Sequence, residues 1–541
     1  MRVSLFLCIF LLNTVFISSV FAHIGSAGVS YEGKAGNYQV QVFITPPDVI
    51  PGTAKVTVMT DGADIEAIRL TPIYFFAGDE GSPRADLALP TAEKGQYEGL
   101  IWFMEDGSAS VRVEIEGKRG IGNVVIPVAA VSTAKRNMPP AIGWLLLGLG
   151  LLLVGLMITI IGASNSDSLM LPGQQDTPKT KRSRVFGSVI GAAFCGLLLW
   201  GGNSWWNSWA DDYNKYMYKP FVANSTVSLK GGHRILNLQI DSNSVQRRWL
   251  SYLIPDHGKL MHLFLVRQGT MDVFAHLHPS RKDTLNYEAA LPPIPGGKYL
   301  LYADIVRFHG FSYTISDTVE IPGTPKINPS LVTNLPGDPE DTYVVTNPLN
   351  SNKPLLQDAT ITQCGTPGLK TKLQDGSTIV WEEKAGEPLQ VGKFYSLKFS
   401  VLAPDGKPAD LQPYLGMMGH AAVIKDDGAV YIHLHPTGTF SSASQQVIEK
   451  RIADTTQKYQ IATTKQFRDS IDLVIDNLKK LTENERDSLM MQGMVHSANS
   501  HEGHATVAFP YSFPQAGNYR IWLQVKRNGK ILTGVFEAKV L

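Results

Sequence analysis

The sequence predicts a mainly β protein: three extracytoplasmic β-sandwich (immunoglobulin-like) domains, two transmembrane helices and one α-helical insertion in the last domain. Three observations carry that expectation. Short apolar/polar alternations punctuated by Pro and Gly recur along the 541 residues. Two uncharged apolar stretches between residues 142 and 206 are long enough to span a bilayer. One passage, with its turn and its histidines, occurs twice.

Residues 1–22 read as a signal peptide, with Arg2, an apolar stretch from Val3 to Phe16 and small residues before a cleavage point after Ala22. Cleavage there would make His23 the first residue. Residues 23–138 form the first expected sandwich, from alternations such as Tyr38-Gln39-Val40-Gln41-Val42-Phe43 and turns such as Pro46-Pro47 and Pro51-Gly52. Glu105-Asp106-Gly107 reads as a hairpin turn between the last strands, Gln96 to Met104 and Ser110 to Glu116.

The spans are expected at 139–163 and 186–206, with the uncharged cores Ile142–Ala163 and Phe186–Trp206. The connecting loop, 164–185, carries Lys179, Lys181, Arg182 and Arg184 and is therefore assigned to the cytoplasm, so that both flanking regions face outward. Trp200, Trp205, Trp206 and Trp209 match an interfacial aromatic belt. The expected location is a bacterial cytoplasmic (inner) membrane, with the large domains on the periplasmic or outer side.

Beyond the spans the chain repeats itself. Met261-His262-Leu263-Phe264-Leu265-Val266 leads through Gln268-Gly269-Thr270 to Ala275-His276-Leu277-His278-Pro279; Gly419-His420-Ala421-Ala422-Val423-Ile424 leads through Asp426-Asp427-Gly428 to Ile432-His433-Leu434-His435-Pro436. Pro295-Gly296-Gly297-Lys298-Tyr299 answers Gln515-Ala516-Gly517-Asn518-Tyr519. The copies are placed at 207–323 and 359–541, with 324–358 as a Pro/Asn/Asp-rich linker. An insertion at 441–504 lacks Pro and Gly over Gln445–Met491 and has helical apolar spacing.

The repeated histidines are the chemical signal. Counting register across the turns sets His262 opposite His276, with His278 two residues along the same face, and His420 opposite His435, with His433 and Met418 on that face. Cross-strand Cβ atoms lie roughly 4.5–5.5 Å apart, close enough for imidazoles to share an ion at roughly 2.0 Å from each nitrogen. Imidazole suits Cu, Zn and Ni, and nearby thioethers favour Cu(I), so copper is the expected cofactor with zinc as the second candidate. Weaker candidates are Met417, Met494, His496, His501, His504 and His23. The bland alternative is a strand end stopped by Pro, whose rings pack at a sheet rim. His233, His257 and His309 have no counterpart in the other copy and read as surface or rim residues, with His309 a candidate fourth ligand. Of the three cysteines, Cys8 and Cys195 lie in apolar segments, and Cys364 is alone in its compartment.

Tyr414-Leu415-Gly416-Met417-Met418-Gly419-His420, followed by an Asp-Gly turn and His433-Leu434-His435-Pro436, resembles the His-rich β-sandwich modules of bacterial envelope proteins, the YtkA-like and related domains. The resemblance implies a metal-associated role for His420, His433 and His435 and, by internal analogy, for His262, His276 and His278. The N-terminal part is similar to the outer domain of uncharacterised two-span bacterial membrane proteins, which implies no chemistry.

The near balance of 49 Lys+Arg and 48 Asp+Glu argues against a nucleic-acid partner. No Gly-x-Ser-x-Gly elbow or phosphate-binding loop appears, and His501-Glu502-Gly503-His504 is one residue short of His-Glu-x-x-His, so an enzyme is not expected. The leading expectation is a membrane-anchored, extracytoplasmic metal-binding protein for sequestration, delivery or sensing, whose partners are the ion, the lipid bilayer and another envelope protein. The alternative is an envelope adaptor binding protein partners without metal.

Overall fold

The computed structural model describes residues 23–24, 28–61, 64–168, 173–245, 250–323, 337–349, 369–382, 388–454, 461–492 and 505–541. The signal-peptide stretch, Met494, His496, His501 and His504 lie outside the described residues, as do Cys8 and Cys364. The chain divides into two compact units, one made of residues 131–219 and the other of residues 1–130 together with 220–541.

The smaller unit is a helical hairpin. Its helices, Pro140–Asp167 and Pro178–Tyr216, are long and apolar enough to cross a membrane by length and composition. Both reach into the segment expected as a loop, leaving only 168–177 between them. The reason is local: Pro178 fills the first helical position, where no N–H is needed, and Thr177 caps the helix reciprocally with Thr180. The helices approach closely at small residues. A Cβ on Gly162 would come within 2.2 Å of Ser188 Oγ, and one on Gly187 within 2.8 Å of Asn165 Cβ.

In the larger unit, residues 29–130 form two packed antiparallel layers. Val29–Ala35, Tyr38–Thr45, Gly52–Thr60 and Gln96–Phe103 pair in one; Ile65–Tyr74, Gly107–Gly117 and Gly120–Ala130 pair in the other, and Asp86–Pro90 pairs with both. The alternation in Tyr38–Thr45 is reproduced as burial, so that Val40, Val42 and Ile44 meet Ile68, Leu70, Val111 and Val113 in one core. The Glu105-Asp106-Gly107 turn is not a hairpin. Gln96–Phe103 pairs with Gly52–Thr60, whereas Gly107–Gly117 pairs with Ile65–Tyr74, so this turn carries the chain from one layer to the other.

The repeat is visible strand by strand. In the first copy His262–Arg267 lies between Val273–Leu277 and Gly297–Arg307, which pairs in turn with Ser312–Ile321. In the second, His420–Lys425 lies between Val430–Leu434 and Gly517–Arg527, which pairs with Lys530–Val540. The backbone of His23–Ile24 adds a parallel edge strand beside Val430 and Tyr431. The expected linker is partly structural: Thr342–Val345 pairs with Val273–His276 in the first copy's sheet. The insertion contains helices Ser442–Ala453, Thr464–Lys480 and Glu483–Gln492.

The two His-bearing sheets pack face to face. Phe264, Val266, Phe274 and Tyr302 from the first share a core with Ala422, Ile424, Tyr431 and Trp522 from the second. Phe274 stacks on Trp522 at 5.0 Å, and Tyr302 on Tyr431 at 4.3 Å. Register makes these contacts equivalent, because Tyr302 and Trp522 lie opposite Phe264 and Ala422 at matching positions of the two copies. The interface therefore has approximate two-fold symmetry, and histidine rings of the two copies meet beside it.

Candidate metal centre

Strand period two puts His262, His276 and His278 on one face of the first hairpin and His420, His433 and His435 on one face of the second. In the second copy Ala421 pairs with Leu434, which brings His420 level with His435 as the turn predicts. In the first, Leu263 pairs with Leu277, so His262 comes level with His278 and not with His276. The cause is a longer connection: residues 268–272 join the strands, and Met271 takes a positive φ of 50° there. The three rings still converge, with centroids 5.3, 5.1 and 4.6 Å apart.

Face-to-face packing merges the triplets. His433 lies 5.4 Å from His262 and 5.8 Å from His276, ring centre to ring centre. A seventh imidazole, His257, stands 5.1 Å from His420 and 5.0 Å from His435. It is buried, not a rim residue. Ligand atoms of His257, His420 and His435, and separately of His262, His276 and His278, lie within 4.8 Å of one another. The centre thus comprises two triads, one of which takes residues from both copies.

The signal for His257 is a repeated turn rather than a repeated residue. Asp256 and Lys259 bridge across one tight turn, Tyr414 and Met417 across its equivalent. His257 and Leu415 occupy the same left-handed position, five residues before the first histidine of each hairpin.

Acceptors outside the cluster set which ring nitrogen carries hydrogen. His262 Nε2 donates to the carbonyl oxygen of Asp256 at 3.1 Å, and His276 Nδ1 donates to Gln524 Oε1 at 2.8 Å. The Gln524 amide is oriented by its own Nε2, which donates to Thr342. His278 Nδ1 donates to the Asp341 carboxylate at 3.0 Å, and His435 Nδ1 to the Phe440 carbonyl at 2.8 Å. The other nitrogen of each ring is then a bare lone pair facing inward. His262 Nδ1 and His276 Nε2 meet at 3.1 Å; with neutral His262 protonated at Nε2 and neutral His276 at Nδ1, both act there as acceptors. His278 Nε2, His433 Nε2 and both nitrogens of His420 are buried without a partner among the described residues. Each such orphan costs about 1–3 kcal/mol unless something binds it.

Burial holds His257, His262, His276, His420, His433 and His435 below the ordinary imidazole pKa, and for all but His435 neighbouring imidazoles add to the depression. The rings are therefore in the neutral form that ligates metals. Beside them the Asp304 carboxyl is pushed up to about 6 by desolvation, against hydrogen bonds from Thr314 and Tyr431. Asp304 Oδ2 lies 3.8 Å from His433 Nδ1. Gln524, its counterpart in the other copy, lies opposite His420 as Asp304 lies opposite His262.

Other sequence candidates fall elsewhere. Met418 packs against the second copy's own core, because the strand that alternates toward the histidines begins only at His420. Met417 is buried in the preceding turn, bonded through its backbone to Tyr414. His309 sits among Phe75, Phe76, Phe308 and Phe311, where burial drives its pKa down to about 3; it is a core residue, not a fourth ligand. His23 is placed by its backbone pairing alone. Among the residues read as linker, Asp338 and Asp341 stand within ligand reach of His278, and Lys259 pairs with Asp338 at 2.6 Å.

A family model described as a domain of unknown function (DUF8832) matches residues 371–470, which include the second His hairpin. No curated protein matches the chain. Among solved structures, the chain is similar to the native conformation of E. coli alpha-2-macroglobulin (9% identity, TM-score 0.19, 96% of this chain and 23% of that one). Salmonella alpha-2-macroglobulin reacted with methylamine matches at 10% identity and TM-score 0.18, over 95% of this chain and 24% of that one. A putative membrane anchored protein from Corynebacterium diphtheriae matches at 10% identity and TM-score 0.12, over 94% and 95%. The chain spans about a quarter of the macroglobulins' length, and likenesses at these scores carry no argument about it.

Proposed function

We propose that this is a membrane-anchored, extracytoplasmic protein that binds up to two metal ions, copper in preference to zinc, between its two His-rich copies, for sequestration or delivery. The observation that carries the reading is the pair of inward lone pairs on His262 Nδ1 and His276 Nε2, 3.1 Å apart. Two acceptors at that distance repel unless a cation lies between them. Bridged by an ion at about 2.0–2.1 Å from each nitrogen, they become ligands. The resemblance of Tyr414–Pro436 to YtkA-like modules points the same way.

The apolar helices supply the anchor, and the basic residues at 179–184 support a cytoplasmic connection between them. No catalytic step is required by this reading. The test is titration of the full-length protein, purified in detergent without a His tag, with Cu(I), Cu(II) and Zn(II) against chelators of known affinity. Stoichiometric binding that falls by one ion in a His420/His433/His435→Ala triple variant, and is lost when His262, His276 and His278 are also replaced by Ala, supports it. Equally weak binding by both proteins refutes it and leaves the adaptor reading, in which the histidines only pack.

A further inference from the structure

The imidazole centre is buried, yet one member of each triad lines a cavity of about 530 Å³: His257 from the triad that spans the copies, His278 from the other. The far wall of this cavity comes from the helical insertion, through Ile475, Leu478 and Met490. Met490 reaches the turn that carries His257. A Cβ on Gly258 would lie 2.6 Å from the Met490 methyl and 3.4 Å from Leu478 Cδ1. Gly258 has φ +78°, so both the turn and the thioether's seat require glycine. Charged contacts hold the helices in place, two of them on the cavity wall: Arg281 with Asp472 and Arg486 with Glu340 at 3.0 Å, and in addition Lys526 with Asp487 at 3.0 Å.

Resting on the metal-binding reading above, we propose that this cavity is the entrance to the centre and that the Met490 thioether is the first protein ligand met by an incoming soft monovalent d10 ion of the Cu(I) class. A thioether is a poor ligand for harder ions and a good one for Cu(I) and Ag(I), so it selects at the entrance without having to match the affinity of the triads. The ion then passes to His257 and His278, the triad members behind the cavity wall, whose side chains are 0% and 2% exposed. Leucine at position 490 keeps the volume and removes the sulfur.

The test compares the full-length protein with its Met490→Leu variant, following uptake of Ag(I), a redox-inert probe of this class, and of Zn(II) from competing chelators by stopped flow. Uptake of Ag(I) slows about tenfold in the variant, equivalent to roughly 1.4 kcal/mol of barrier, while Ag(I) stoichiometry and the Zn(II) rate stay as in the parent. Unchanged Ag(I) uptake overturns the assignment, and so does equal slowing of both ions, which would make Met490 a packing residue of the helical cover. A parent protein that takes up neither ion refutes the metal-binding reading itself. A Met490→Ala variant with parental stability and the same Ag(I)-specific slowing separates ligation from helix packing.

Discussion

His257 and Leu415 hold the same position of the same turn, with φ of 50° and 51°, each followed by a left-handed glycine, in the two copies of the repeat. One carries an imidazole into the interface and the other an isobutyl group. Copy-for-copy duplication would have given equivalent sites; this exchange makes them unequal, because only the triad with His420 and His435 recruits its third ring from across the interface.

His257→Leu therefore gives a turn the fold already tolerates, and the protein should keep its structure. The isobutyl group replaces a ring that meets His435 Nε2 at 3.4 Å and hydrogen-bonds the Leu415 backbone, and apo stability should stay within about 1.5 kcal/mol of the parent. Metal content should fall from two ions per chain to one. Elemental analysis after dialysis against a weak chelator measures it; two ions retained by the variant would exclude His257 as a ligand.

Most of this architecture was readable in the chain. Alternation gave the strands, the repeated passage from His262 to Pro279 and from His420 to Pro436 gave six of the seven imidazoles, and helix-like spacing gave the insertion. What escaped has a common physical cause: it depends on contacts between segments distant in sequence. His257 matters because the second copy's hairpin faces it, not because of any neighbour in sequence. Asp341 lies in a stretch whose Pro, Asn and Asp content signals only a connection, yet Thr342–Val345 adds to the sheet and brings its carboxylate to His278. Met418 failed for a local reason, since alternation holds only inside a strand and the strand starts two residues later.

The acceptors outside the centre should matter nearly as much as the ligands. Gln524 accepts from His276 Nδ1 and so leaves Nε2 bare toward His262. Gln524→Leu removes that acceptor, allows the other tautomer, and should weaken binding at the His262/His276/His278 triad by roughly 10–100-fold. The paired triad should be spared. Competition titration of the variant resolves the two affinities, and equal weakening of both would mean that the substitution loosens the interface as a whole.

Acid should destabilise the metal-free protein. Six imidazoles of the centre have folded pKa values below the ordinary value near 6.5, and His309 is held at about 3. Their contribution is fully present above that ordinary value. As pH falls below it, the unfolded chain takes up protons that the folded chain refuses, so stability drops until each folded pKa is reached. Asp304, raised to about 6, and Asp487, also raised by burial, act in the opposite sense, but they are two groups against seven. Each histidine within its window costs about 1.4 kcal/mol per pH unit. Thermal unfolding of the metal-free protein should therefore show a steep fall in Tm between about pH 6.5 and 5. A flat profile would mean that the rings are solvated, contrary to the packing described.

The interface that aligns the triads is apolar, and its removal should uncouple them. Trp522 is fully buried, stacked on Phe274, and its two-fold counterpart is the Tyr302–Tyr431 stack. Trp522→Ala opens a cavity between the copies and should cost about 3–5 kcal/mol, whereas Trp522→Phe keeps a stacking ring and should cost less. Because His257 reaches its triad across this interface and His262, His276 and His278 do not, partial loosening should weaken the spanning triad first. Urea unfolding gives the cost, and metal titration of Trp522→Phe gives the order. Loss of the His262/His276/His278 triad before the other would contradict the division of ligands between the copies.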